Sequence, residues 1–127
     1  MEKDIAARIS DSELEIMKCL WQAGKALSIT EIRSELQGRM GWESTTVKTL
    51  VQRLCTKGAL LQEKKGVFYY SALIDEQEYK RWAAEHLMQK LYHGSARELV
   101  AALLHADKLT AEDVDELSAW FNRESGK

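Results

Sequence analysis

Ser44-Thr45-Thr46-Val47-Lys48-Thr49-Leu50-Val51-Gln52-Arg53-Leu54-Cys55-Thr56-Lys57, closed by Gly58, is the stretch on which the fold turns. Its apolar residues Val47, Leu50, Val51 and Leu54 recur at i, i+3, i+4 and i+7, the spacing of one helical stripe facing a core. The opposite face carries Thr45, Lys48, Thr49, Gln52 and Thr56: short hydroxyls, an amide and a cation. No acid occurs between Ser44 and Gln62, whereas an exposed face that serves only solubility usually mixes Glu with Lys. Downstream the period changes. Residues 59–64 and 67–72 are strand-like, the second run rich in aromatic residues, and Lys65-Gly66 between them marks a short hairpin.

Two helices are expected upstream. Ser10 with Glu13 is a capping box, flanked at staple spacing by Ile9 and Leu14. The helix it opens is expected to run to about Ala23, to bury Leu14, Met17, Leu20 and Trp21, and to stop at Gly24. Ser28 with Glu31 repeats the box, with Leu27 and Ile32 as its staple, for a shorter helix ending at Gly38. Three helices and then a hairpin, all between Ser10 and Ala72, is the element order of a winged helix-turn-helix.

After Asp75 the helical period returns. Asp75 with Glu78 opens a long helix through Tyr79, Trp82, Ala83, Leu87 and Leu91, ending near Gly94. Ser95 with Glu98 opens another through Leu99, Val100, Leu103 and Leu104. Thr110 with Asp113 opens the last, stapled by Leu109 and Val114 and continuing through Leu117, Trp120 and Phe121. Three such helices are too few to close a core of their own. Their apolar faces are expected to meet a second copy of the chain through Trp82, Leu87, Leu91, Leu99, Val100, Leu103, Leu104, Leu117, Trp120 and Phe121. The expected architecture is therefore mainly α with a small β-hairpin: a winged helix over residues 1–74, followed by a helical dimerisation region over 75–127.

The chain of 127 residues is 45% hydrophobic and 30% charged, an ordinary globular composition with no proline to interrupt helices. Every apolar run is broken by charge well before the roughly 20 residues of a membrane span. The opening Met1-Glu2-Lys3-Asp4 lacks the basic-then-apolar pattern of a signal segment, so a cytoplasmic, membrane-free protein is expected. Cys19 and Cys55 form neither a disulfide framework nor a CxxC pair. The net charge is −2, which is unusual for a partner of nucleic acid until its distribution is mapped. From Lys48 to Lys65 the chain carries Lys48, Arg53, Lys57, Lys64 and Lys65 against Glu63 alone, five cations less one acid, or +4. A local basic window is what phosphate contact requires.

Hydroxyls, an amide and cations on a helix followed by a lysine-tipped hairpin suit double-stranded DNA. The helix face enters a major groove without steric conflict, and the hairpin lysines meet the backbone. A winged helix that binds a partner protein, with no specific contact to DNA, is the competing class; a gel shift separates them. Catalysis has no foothold, because no Gly-rich phosphate loop, nucleophile elbow or H-E-x-x-H occurs. No catalytic residue, metal ligand or cofactor is expected. Cys19 and Cys55 read as small buried or half-buried hydrophobes. His86, His93 and His105 share no helical face at ligand spacing. The acids Glu112, Asp113, Asp115 and Glu116 suit the first turn of a helix.

Ile9-Ser10-Asp11-Ser12-Glu13-Leu14-Glu15-Ile16-Met17 with Leu20-Trp21, Thr46-Val47-Lys48-Thr49-Leu50 with Arg53-Leu54 and Lys57-Gly58, and Phe68-Tyr69-Tyr70-Ser71 resemble the penicillinase-repressor family, which includes the BlaI, MecI and CopY repressors. The resemblance implies a homodimer that binds a palindromic operator, commonly built on TACA and TGTA half-elements. It makes Ser44–Lys57 the recognition helix, with contacts from Thr45, Thr46, Lys48 and Thr49 and a wing at Lys64 and Lys65. Ser44, Gln52 and Arg53 complete the expected DNA-binding set. In the family's β-lactam branch an Asn-Phe bond is cut; the aligned pair here is Ala102-Leu103. The copper branch carries paired Cys-x-Cys motifs near its end, where this chain reads Asn122-Arg123-Glu124-Ser125-Gly126-Lys127.

Overall fold

A computed structural model describes the backbone of residues 2–125 and the side chains of residues 5–125. The helix starts follow local chemistry. In α2 (Asp11–Ala23) the Ser10 hydroxyl accepts from Glu13 N at 3.2 Å, while Glu13 Oε1 accepts from Ser10 N at 3.0 Å. In α3 (Ile29–Met40) Ser28 and Glu31 make the same reciprocal pair. Such a box satisfies two donors that a helix start leaves without intrahelical partners. Ahead of them lies α1 (Glu2–Ala7), a short helix that no cap signal announced.

One expected helix end moves. Gly38 lies inside α3, and the left-handed cap is Gly41 (φ 62°), whose N–H donates to Gln37 O at 3.2 Å. Leu36 is buried and Met40 packs on the same core, so apolar contacts on both sides of Gly38 carry the helix past it. The first helix differs in detail too. Ile16, Met17, Cys19 and Leu20 are buried, while Leu14 and Trp21 are half-buried against the core.

The third core helix, α4 (Ser44–Lys57), buries Val47, Leu50, Val51 and Leu54, the expected stripe. Beyond Gly58 come β1 (Leu60–Lys65) and β2 (Val67–Ala72), antiparallel, with Lys65 opposite Val67 and Gly66 at the turn (φ 83°). The first strand thus starts and ends one residue later than expected. Tyr70 also exchanges both backbone hydrogen bonds with Leu27, at 2.8 and 2.9 Å, which ties the hairpin to the segment between α2 and α3. The resulting core runs through α2, α3, α4 and the base of the hairpin and includes Ile74.

The chain forms two compact units, Met1–Trp82 and Ala83–Lys127. The change of period at Asp75 marks the start of α5 (Glu76–Tyr92); the division by packing falls later, inside that helix. The second unit continues with α6 (Ala96–His105) and α7 (Ala111–Ser125). Their caps are as expected: Ser95 Oγ accepts from Glu98 N, and Thr110 and Asp113 cap each other reciprocally. No residue of α5, α6 or α7 is buried in the single chain. Among the described residues no helix is long and apolar enough to cross a membrane.

Candidate nucleic-acid interface

Burying Val47, Leu50, Val51 and Leu54 turns the other side of α4 outward. Ser44, Thr45, Thr46, Lys48, Thr49, Gln52 and Arg53 are all exposed, so the structure brings the expected set together on one helix face. Thr45, Thr46, Thr49, Leu50 and Arg53 line a shallow concavity of about 250 Å³. The Thr49 hydroxyl donates to Thr45 O at 2.9 Å. Its proton is committed within the helix, so Thr49 offers outward its methyl group and its oxygen lone pairs.

The approach to α4 is held from α3. Arg33 Nε donates to Trp42 O at 3.4 Å, and Arg33 Nη2 lies 3.8 Å from Glu43 Oε1. Glu43 is the N-cap residue but makes no side-chain cap bond, and the first turn contains no acid. The first turn itself, Ser44–Thr46, therefore sets no acid against the positive end of the helix dipole.

On the hairpin, residues alternate between the two sides. Lys64 stands opposite Phe68 and Lys65 opposite Val67, so the two lysines leave the tip from different faces. Both are exposed. The Lys64 ammonium sits 5.8 Å from the centre of the Phe68 ring, a contact that sequence inspection missed because it depends on cross-strand register.

One cation of the basic window is not part of this surface. Lys57 Nζ donates to Glu13 Oε1 at 2.6 Å and to Arg8 O at 2.7 Å, turned inward toward the start of α2. Glu13 is buried, at 2% exposure. Burial alone pushes its carboxyl up, but the Lys57 hydrogen bond, the Ser10 backbone bond and the Lys57 charge outweigh that and hold it below its ordinary value. Without Lys57, the outward cations of that window are Lys48, Arg53, Lys64 and Lys65.

The residues assigned to dimerisation are apolar and largely uncovered. Leu87, Leu91, Val100, Leu103, Leu104, Leu117 and Trp120 are exposed, Phe121 is 70% exposed, and Leu99 is half-buried. Val100, Leu109, Val114, Leu117 and Phe121 line a cleft of about 320 Å³ between α6 and α7. Trp82 alone of the ten belongs to the first unit, half-buried and stacked on Tyr79. Burial pushes both thiols up, that of Cys19 with help from Glu35, so neither is poised as a thiolate. Among the described residues, no group of three or more His, Cys, Asp or Glu is placed to hold a metal ion.

The penicillinase repressor family model matches residues 9–123. The chain belongs to that family. It is 35% identical to the penicillinase repressor of Bacillus licheniformis over 111 residues, covering 87% of this chain and 86% of that one. It is 29% identical to the methicillin resistance regulatory protein MecI of Mammaliicoccus sciuri over 116 residues, 91% of this chain and 94% of the relative. The solution structure of the monomeric form of Bacillus licheniformis BlaI in complex with the blaP half-operator superposes with a TM-score of 0.50. That match, at 41% identity, covers 57% of this chain and 88% of the other. The winged helix is thus shared with a repressor whose own structure was determined on DNA.

Proposed function

We propose that this penicillinase-repressor family member represses transcription by holding a palindromic DNA operator as a homodimer, each copy placing α4 in a major groove and its hairpin on the flanking backbone. The observation that carries this reading is the acid-free exposed face of α4 between Ser44 and Arg53. It is flanked by the exposed lysines of the hairpin tip, on a fold shared with a DNA-bound relative. Hydroxyl, amide and guanidinium groups on one face match the donors and acceptors of base edges, and the lysines match phosphates. The role is that of a regulator working where the DNA is, in the cytoplasm, with no catalytic step and no cofactor.

The second copy follows from the second unit. α5, α6 and α7 all carry exposed large apolar residues and bury none, a kind of surface that marks an interaction site. Covering it with an identical surface gives a closed two-fold assembly, and two-fold symmetry is what a palindrome presents.

Two measurements on the intact chain test the reading. A gel shift should retain a palindrome built on TACA and TGTA half-elements and release it to the same palindrome, not to random duplex. Sedimentation at micromolar concentration should give a dimer. A chain that binds random duplex equally well, or that sediments as a monomer, overturns the corresponding half of the proposal. Cutting the chain after Trp82 should then leave a monomer that still binds a single half-element but has lost most of its affinity for the palindrome.

A further inference from the structure

The turn between α3 and α4 is held by one long side chain. Gly41 N–H closes α3 on Gln37 O at 3.2 Å, and Val47 N–H opens α4 on Glu43 O at 3.1 Å. Between those two bonds the carbonyl of Trp42 accepts from Arg33 Nε at 3.4 Å. Arg33 comes from the first half of α3, next to the buried Ile32, and both helices belong to the first unit. Anchored through Nε, the guanidinium stays at the leading end of α4, and its terminal nitrogens are left for another acceptor. The side chain is 38% exposed, so an acceptor can reach it from solvent. The anion facing it in the free protein is Glu43, whose Oε1 lies 3.8 Å from Nη2. That is an ion pair without a hydrogen bond, about 1 Å longer than a charge-assisted one. Glu43 is 81% exposed and makes no cap bond, so nothing else fixes its carboxylate there.

An exposed pair of this kind contributes little and is readily exchanged. A phosphate is the stronger acceptor, because two of its oxygens match the planar fork of a guanidinium. In a helix-turn-helix the helix ahead of the recognition helix crosses the DNA backbone, and α3 is that helix. We infer that Arg33 is a backbone-phosphate contact at the leading end of α4, and that Glu43 is the internal anion which the phosphate displaces. The inference rests on the DNA-binding reading above and needs only the first unit. Arg33 lies outside the basic window of the sequence, between Glu31 and Glu35, which hides its charge from a count along the chain. Its bond to Trp42 O brings that charge to the start of the exposed helix face. Glu43 then acts as a built-in competitor, so the free surface shows less positive charge there than the bound one uses.

The test uses the full chain with Arg33→Gln, Arg33→Lys, Glu43→Gln and the Arg33→Gln/Glu43→Gln double variant, titrated with duplex DNA across salt concentrations. Arg33→Gln should weaken operator and random duplex alike and flatten the dependence of log affinity on log salt by about 0.9. Arg33→Lys keeps the charge but not the fork, and should keep the slope while losing some affinity. Glu43→Gln should raise affinity for both duplexes by about twofold to fivefold. That gain should nearly vanish when Arg33 is already Gln, because no guanidinium is then released. An unchanged salt slope in Arg33→Gln would mean that Arg33 only shapes the turn, and the inference fails. Equal gains from Glu43→Gln with and without Arg33 would remove Glu43 as its competitor. If the wild-type chain binds no duplex at all, the DNA-binding reading itself falls, and the contact with it.

Discussion

Lys57 Nζ lies 2.6 Å from Glu13 Oε1, joining the last turn of the exposed helix α4 to the cap that starts α2. The same carboxylate oxygen accepts from Ser10 N, so one buried charge serves both a helix start and a long-range tie. Replacing Lys57 by Met leaves that carboxylate buried with the Ser10 cap bonds alone. We expect a loss of about 2–4 kcal/mol of stability, somewhat below the roughly 3–5 of a fully buried pair because the Lys57 side chain keeps 26% exposure. The folded-state pKa of Glu13 is depressed, so its contribution is full above the ordinary carboxylate value and is lost as pH falls through the folded value. Urea unfolding between about pH 3 and pH 7 should therefore show wild type losing stability on acidification faster than Glu13→Gln. Parallel pH profiles would refute the assignment.

Thr49 is expected to read a base edge through its methyl group and oxygen lone pairs, since its proton is given to Thr45 O. Thr49→Ala should lower discrimination between operator and random duplex by roughly 1–3 kcal/mol. Competition binding on both duplexes measures it. A uniform loss on the two duplexes would show that Thr49 touches only the backbone.

Lys64 and Lys65 carry charge to the hairpin tip without base-reading geometry. Lys64→Ala and Lys65→Ala should each weaken every duplex alike and flatten the dependence of log affinity on log salt by about 0.9 for each phosphate no longer neutralised. Titration across salt concentrations gives the slope. An unchanged slope would remove that lysine from the interface.

Asp107 ends α6 in the left-handed region, with φ 58°, and puts a negative charge at the negative end of the helix dipole. Glycine adopts that conformation without a side-chain clash. Asp107→Gly should stabilise the chain by about 0.5 kcal/mol, read by denaturant midpoint at fixed protein concentration. A lower midpoint would mean that the carboxylate has a favourable partner that outweighs the strain.

What is legible in the sequence is what short-range chemistry decides. Ser10 with Glu13, Ser28 with Glu31 and Thr110 with Asp113 each settle a helix start within four residues, and all three caps form. The α4 stripe and its polar face are equally local. What escapes depends on residues far apart. Gly38 and Gly41 carry the same stop signal, and only the core contacts of Leu36 and Met40 choose between them. Lys57 reads as one more cation beside Arg53 until the fold brings Glu13, 44 positions away, against it. Trp21 reads as core, yet 53 positions separate it from the carbonyl of Ile74 that it holds.

The hairpin also has an edge. The bridge from Leu27 covers part of the outer side of β2, but among the described residues no strand lies beside the outer side of β1. Such an edge invites pairing with another chain, and Val67, Phe68 and Leu61 expose apolar surface next to it. Lys64 and Lys65 stand on that edge strand and make intermolecular pairing electrostatically costly. The lysines proposed to meet phosphate thus also act as gatekeepers against sheet-to-sheet aggregation, and a chain stripped of both would expose a sticky wing.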